Sequence, residues 1–304
     1  MRRKIPSIEA LIAFESAARY QSFTRAADEL SLTQSAVGRQ IALLEDYLGV
    51  PLFSRIKKRV MLTAVGETYA RQVREDLARV ERHTVAAMAH HGSGGVLELA
   101  VIPTFAVRWL IPRLPQFYAG HPDITLNLTT RAEPFLFTDT PFDAAIHRGS
   151  PVWPGTVAEH LFGEELIPVC SPALLGGTSL PLPPVELGRF KLMHQSSRPE
   201  MWREWFTKAG LHEINSMSGQ RFELFSMLVE AARAGLGVAL VPRFLVQKEL
   251  ANRSLVIPCE LSLHSEKAYY LVYPASRQSC VWLRAFRVWL LEVATEFSGV
   301  NRAA

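Results

Sequence analysis

Residues 7 to 90 carry apolar positions at helical spacing almost throughout, with one break near 51 to 62. Within this stretch Val37, Ile41, Leu44 and Leu48 recur at intervals of four, three and four, which predicts a helix whose apolar face packs inward. Its opposite face presents Gln34, Ser35, Gly38 and Arg39. Just before it, Ala26 and Ala27 are small enough for one helix to cross another closely. Leu30 and Leu32 are expected to plug a short turn, and Thr33 is a good N-cap for the helix that follows. The break at 51 to 62 reads as a β-hairpin with Arg55 on one arm and Lys57 and Lys58 at a basic tip.

Beyond the hairpin, Thr63 can cap a helix running to about residue 90. Its positions Ala70, Val73, Leu77, Val80, Thr84 and Ala87 are spaced three, four, three, four and three, which is a heptad seam. A single amphipathic helix of this length is marginal alone, so the stripe needs a partner. A second copy of the chain is the natural candidate, and the alternative is docking on the chain's own later domain.

After Gly92-Ser93-Gly94-Gly95 the pattern changes. LELAVI, ITLNLTT, FDAAIH, ELIPVC, VALVP and AYYLVYP read as buried strands, separated by stretches such as 108 to 119 and 222 to 235 that suit helices. Strands alternating with helices predict parallel α/β sheets, and about 200 residues accommodate two lobes. The expected organisation is multi-domain. An all-α winged helix-turn-helix covers 1–65 and a linker and dimerisation helix covers 66–91. A two-lobed α/β domain covers 92–304, with lobe I about 96–163 and 267–304 and lobe II about 164–266.

Charge sharpens this division. Residues 1 to 90 hold 14 Lys+Arg against 10 Asp+Glu, while 91 to 304 hold 19 of each, so the net +4 resides in the first third. DNA binding draws on phosphate neutralisation, and this placement assigns the nucleic-acid contact to the helical part; a solvated basic face reads equally well from charge alone. The outward helix residues strengthen the DNA reading, since Gln pairs with adenine and Arg with guanine or phosphate.

Other classes find little support. Cys170, Cys259 and Cys280 form no CxxC pair, which argues against a disulfide scaffold or a zinc ribbon. No GxSxG elbow, HExxH helix or P-loop occurs, and His90 and His91 are adjacent and point to different faces, so neither catalysis, a metal nor a cofactor is expected. There is no long apolar run, and the opening MRRKIPSIEALIAF lacks an apolar stretch with a cleavage site, so a cytoplasmic location without membrane contact is expected. A solute-binding transport protein would share the two lobes, but it would have no use for residues 1 to 90.

The segments FTRAADELSLTQSAVGRQIALLEDYLGVPLFSR and LTAVGETY, followed by FDAAIHRG, LIPVCSP and EAARAGLGVALVP, resemble the LysR-type transcriptional regulators over essentially the whole chain. The stretches TFAVRWLIPRLPQF, SSRPEMWREWF and YYLVYP are most similar to the subgroup that includes activators of glycine-cleavage and β-lactamase genes. The resemblance implies an effector domain like a periplasmic solute-binding protein and a homotetramer built as a dimer of dimers. It also implies promoter DNA, RNA polymerase and a small-molecule effector as partners. Thr33, Gln34, Ser35 and Arg39 match the family's recognition-helix positions and Arg55 its wing arginine; Gly38 departs from the serine that usually stands there.

Effectors of such domains sit between the lobes, near strand C-termini and helix N-termini. Thr104 and Phe105 match the family's first effector-contacting loop. Thr129, Thr130 and Arg131 at a strand end face the same crevice, and His147, His194, Ser196, Phe222 and Glu223 complete the candidate set. Each has an ordinary alternative, such as Thr104 as a helix cap, Phe105 as core, Arg131 as a surface cation and the histidines as satisfied loop residues. Gly235 and Gly237 are explained by a helix C-cap and a tight strand entry.

Overall fold

Three capped helices open the chain in the computed structural model, which describes residues 5–56, 59–89, 95–133 and 135–303. They are α1 (Ile8–Tyr20), α2 (Phe23–Leu30) and α3 (Gln34–Leu48). Each begins at a hydroxyl residue: Ser7, Ser22 and Thr33 accept the amide protons of Ala10, Arg25 and Ala36. Each ends in a left-handed residue, at Gln21, Ser31 and Gly49. Ala26 and Ala27 are buried where α2 crosses its neighbours. Leu30 is half-buried there, but Leu32 is 48% exposed, so the turn is closed by Leu30 and not by both leucines.

A hairpin follows, β1 (Phe53–Ile56) paired antiparallel with β2 (Arg59–Leu62), with Arg55 opposite Val60. The basic tip, Lys57 and Lys58, lies outside the described residues. Helix α4 (Ala64–Ala89) starts where the Thr63 hydroxyl accepts the Gly66 amide proton. It approaches the hairpin so closely that a Cβ at Gly66 would overlap the Leu52 carbonyl oxygen.

The expected seam along α4 is divided. Ala70 and Val73 are buried and Leu77 is half-buried against Phe14, Ala18 and Leu52 of the same unit, whereas Val80 is 51% exposed and Thr84 is exposed. The side chain of Ala87, and both His90 and His91, lie outside the described residues. The physical reason is that α1 to α3 are too small to close a core, so the first turns of α4 complete it. The distal turns keep exposed apolar side chains at Val80, Val85 and Met88, and the first turn keeps one at Val65.

The chain divides into two compact units, Met1–Gly92 and Ser93–Ala304. The second is an eight-stranded mixed sheet. Strand β3 (Gly95–Val101) lies parallel between β4 (Ile124–Thr130) and β5 (Ala144–Gly149). Between β3 and β4 the stretch expected as one helix is broken into α5 (Pro103–Phe105), a π-helical turn (Ala106–Leu110), a 3-10 turn (Ile111–Arg113) and α6 (Leu114–Gly120). Pro112 and Pro115 carry no amide proton, so one regular ladder does not run through.

Strand β6 (Thr156–Val169) then leaves the first lobe for the second, where β7 (Leu192–Gln195), α7 (Met201–Lys208), β8 (Arg221–Phe222), α8 (Phe225–Arg233), β9 (Val238–Pro242) and α9 (Gln247–Ala251) follow. Strand β10 (Leu263–Pro274) returns, and α10 (Val281–Ala303) covers the first lobe. The order is β4-β3-β5-β10-β6-β9-β7-β8, so the long antiparallel strands β6 and β10 are shared by both lobes. Each lobe is otherwise parallel. The sequence pattern points to six of these strands, while β7 and β8 are too short to stand out. Gly235, at φ +76°, closes α8, and a Cβ at Gly237 would strike the Lys191 carbonyl at the entry to β9.

Candidate nucleic-acid interface and effector crevice

In the first unit α3 is anchored from behind. Val37, Ile41 and Leu44 are buried at 0%, 2% and 1% exposure, which commits one face of the helix to the core. The other face carries Gln34, Ser35 and Arg39 exposed and Gly38 half-exposed, while Thr33 caps the helix and touches the Ser35 hydroxyl at 3.0 Å. Arg39 makes no side-chain hydrogen bond or ion pair among the described residues.

Two other cations of the unit are engaged internally. Arg74 of α4 donates to Glu15 of α1 at 2.8 Å, and Arg19 of α1 reaches Glu29 of α2 at 2.7 Å. That guanidinium, helped by the Ser16 hydroxyl, holds the Glu29 carboxyl below its usual range. The outward face of α3 therefore keeps its charge free, an arrangement suited to a polyanion. A Cβ at Gly38 would meet nothing within 4 Å, so the fold does not require glycine at this position.

In the second unit the candidate residues separate into groups. Thr104 is buried, and its hydroxyl accepts the amide proton of Ser226 at 3.2 Å, linking α5 of one lobe to the start of α8 in the other. Phe105 is core: it is 1% exposed and packs with Trp109, Phe162, Phe244 and Tyr269. His194 is also structural, at 1% exposure with Nε2 set 2.9 Å from the Ser218 carbonyl.

Ser196 is exposed, and its amide donates to the carbonyl of half-buried Phe222 at 2.7 Å, extending the β7–β8 pairing. Together with the His194 amide, which donates to the Gln220 carbonyl at 2.8 Å, this link fixes the loop that leads into α8. The Glu223 side chain is exposed while its carbonyl accepts from Gln195 Nε2 at 2.7 Å. Thr129, Thr130 and Arg131 are exposed at the end of β4, and Arg131 lies over the Phe135 ring. His147 stands edge to face with Trp153 at 5.2 Å; burial, with Arg148 and Lys267, holds its pKa below the ordinary imidazole value.

Apart from Thr104, the polar groups that converge between the lobes lie outside the set that sequence reasoning selects. Glu164 of β6, with its side chain wholly buried, takes hydrogen bonds from Arg148 at the end of β5, from Arg198 after β7 and from the Tyr269 hydroxyl of β10. Burial and the adjacent Glu164 carboxylate push the Tyr269 phenol well above its ordinary value, so it remains a donor. A second tie crosses the lobes at Arg108, which donates to Glu249 at 2.6 Å and to the Leu245 carbonyl at 3.1 Å. None of these residues has a local signature. The arginines and glutamates look like ordinary surface charges, and Tyr269 like part of an apolar strand, until the fold brings them together.

Burial pushes the Cys170 thiol up to about 12, which leaves no thiolate near neutrality. Among the described residues no group of three or more His, Cys, Asp or Glu side chains is placed to hold a metal ion. No helix among them is long and apolar enough to cross a membrane.

A winged helix-turn-helix with an unengaged outward face, carried in one chain with a two-lobed α/β unit tied across its crevice, defines a DNA-binding regulator with a ligand-sensing domain. The chain belongs to the LysR family of bacterial transcriptional regulators: residues 8–67 match the bacterial regulatory helix-turn-helix protein, lysR family, and residues 90–295 match the LysR substrate binding domain. It is 38% identical over 296 residues to the glycine cleavage system transcriptional activator of Escherichia coli, covering 97% of this chain and 96% of that one. The effector domain of the regulator AmpR of Pseudomonas aeruginosa superposes with a TM-score of 0.62 at 32% identity, over 69% of this chain and 100% of the other. Full-length CbnR, solved with its target DNA, shares the fold with a TM-score of 0.69 at 20% identity, over 95% of this chain and 99% of that one.

Proposed function

We propose that this regulator reads promoter DNA through Thr33, Gln34, Ser35, Gly38 and Arg39 of the recognition helix and through Arg55, Lys57 and Lys58 of the wing. The observation that carries the reading is the divided surface of α3, with Val37, Ile41 and Leu44 buried and Gln34, Ser35 and Arg39 exposed. A small-molecule effector binds between the lobes, beside Thr104 and the start of α8. The free apolar surface at Val80, Val85 and Met88 supports pairing of α4 with a second copy, and two such pairs make the tetramer. RNA polymerase is the downstream partner, and the protein works in the cytoplasm without catalytic activity, metal or cofactor.

The test is a gel shift on the DNA upstream of its own or a divergent neighbouring gene. Arg39→Ala is expected to weaken binding by about 1–3 kcal/mol, roughly five- to 150-fold. Binding should also fall steeply with added salt. Affinity unchanged in both Arg39→Ala and Arg55→Ala would refute the assignment of this face.

A further inference from the structure

The crossover between the lobes holds more positive charge than it neutralises. Glu164 has its side chain at 0% exposure, and two guanidiniums converge on it. Arg148 donates through Nε at 2.8 Å and also reaches the Ser265 hydroxyl at 2.8 Å. Arg198 donates through Nη1 to both carboxylate oxygens, at 3.0 and 2.9 Å. These two side chains are only 13% and 18% exposed, and neither meets a second carboxylate among the described residues. One buried negative charge thus faces two largely buried positive ones. A guanidinium largely held away from water with only a shared anion is less than fully compensated, so the crossover favours a further negative charge.

Arg198 offers the place where a further anion is read. Its Nη1 is committed to Glu164 and its plane lies over the Phe225 ring at 4.8 Å. The remaining Nε–Nη2 edge makes no hydrogen bond among the described residues. That edge is the planar two-donor fork that a carboxylate accepts in bidentate fashion. Phe225 opens α8, a nine-residue helix with no side-chain cap at its N-terminus, and the next residue, Ser226, is the one already linked to Thr104 of the other lobe.

We propose that the effector is a small organic carboxylate, read by the free Nε–Nη2 edge of Arg198, with Glu164 acting as the internal counter-ion that holds Arg198 and Arg148 in place. This rests on the interlobe reading of the effector site. A monoanion balances the single surplus charge, whereas a dianion over-balances it. The bound ligand extends a chain of charge that runs from Arg148 of the first lobe through Glu164 to Arg198 of the second.

The experiment is a thermal-shift series on the full-length protein with acids and their matched amides, acetate with acetamide and benzoate with benzamide, at constant ionic strength. At least one acid is expected to raise the midpoint where its amide does not. Arg198→Gln should weaken that response roughly ten- to hundredfold, and Arg198→Lys, which keeps the charge but lacks the fork, should retain a weaker one. Arg189→Gln, at a 76% exposed arginine paired with Glu186, should respond as the unmodified protein does. Equal shifts from acid and amide, no shift from any acid, or a full response in Arg198→Gln would each overturn the proposal. A gel shift in parallel separates the two readings: DNA binding without an acid response removes only this inference, while absence of DNA binding removes the regulator assignment itself.

Discussion

Arg39 on α3 and Arg198 at the crossover are the same residue type set in opposite surroundings. Arg39 is exposed and unpartnered among the described residues, whereas Arg198 is 18% exposed and bonded to a carboxylate that water does not reach. The first arrangement suits a partner that brings its own dense charge and displaces counter-ions. The second suits a small ligand recognised by fixed, desolvated donors. One chain therefore uses arginine both as a free charge for long-range attraction and as a held fork for shape.

The comparison breaks most sharply at Glu164. Glu164→Ala leaves two largely buried guanidiniums without their shared anion and is expected to destabilise the effector unit by about 3–5 kcal/mol. In the DNA-binding unit a loss of similar size needs a core deletion: Phe14→Ala, at a position 0% exposed, is expected to cost about 3–5 kcal/mol. Urea unfolding followed by probes specific to each unit checks both variants. If Glu164→Ala shifts its unit's midpoint no more than a surface substitution does, the crossover is not the tied structure described above.

A smaller effect of opposite sign is expected at Gly38. The space a Cβ would occupy there is empty, and glycine in a helix interior is less favourable than alanine by about 1 kcal/mol. Gly38→Ala should therefore stabilise the DNA-binding unit by up to that amount. Measuring DNA affinity on the same variant sharpens the point: affinity that falls while stability rises identifies a close approach of the helix to the nucleic acid.

The two units also differ in how much of each is legible in the sequence. The DNA-binding unit is legible because its determinants are local: hydroxyl caps at Ser7, Ser22 and Thr33 and a four, three, four apolar spacing in α3. Even so, heptad spacing makes α4 look like a single seam, because it does not reveal that Ala70 and Val73 close the core of their own unit. The strands of the effector unit are legible as apolar runs, but its polar network is not. Arg148, Glu164, Arg198 and Tyr269 lie far apart in the chain and meet only because β6 and β10 cross between the lobes. Conversely, Phe105 at the end of α5 and His194 in β7 are buried, a choice of direction that sequence position does not fix.

The mildest test concerns acid. The folded pKa of His147 lies below its ordinary value of about 6.5, so on acidification the unfolded chain takes up the proton first. The contribution of neutral His147 is complete above that ordinary value and is lost as the pH falls through the lower folded one. Glu165 and, in the DNA-binding unit, Glu29 have folded values depressed below the usual carboxylate range, so their contributions persist to lower pH. Between about pH 7 and the upper end of the carboxylate range, the effector unit should therefore lose stability through His147 while Glu29 still supports the DNA-binding unit. His147→Gln should flatten the effector unit's midpoint over that interval. A slope that survives the substitution would rule out the imidazole beside Trp153 as the source of this unit's acid sensitivity.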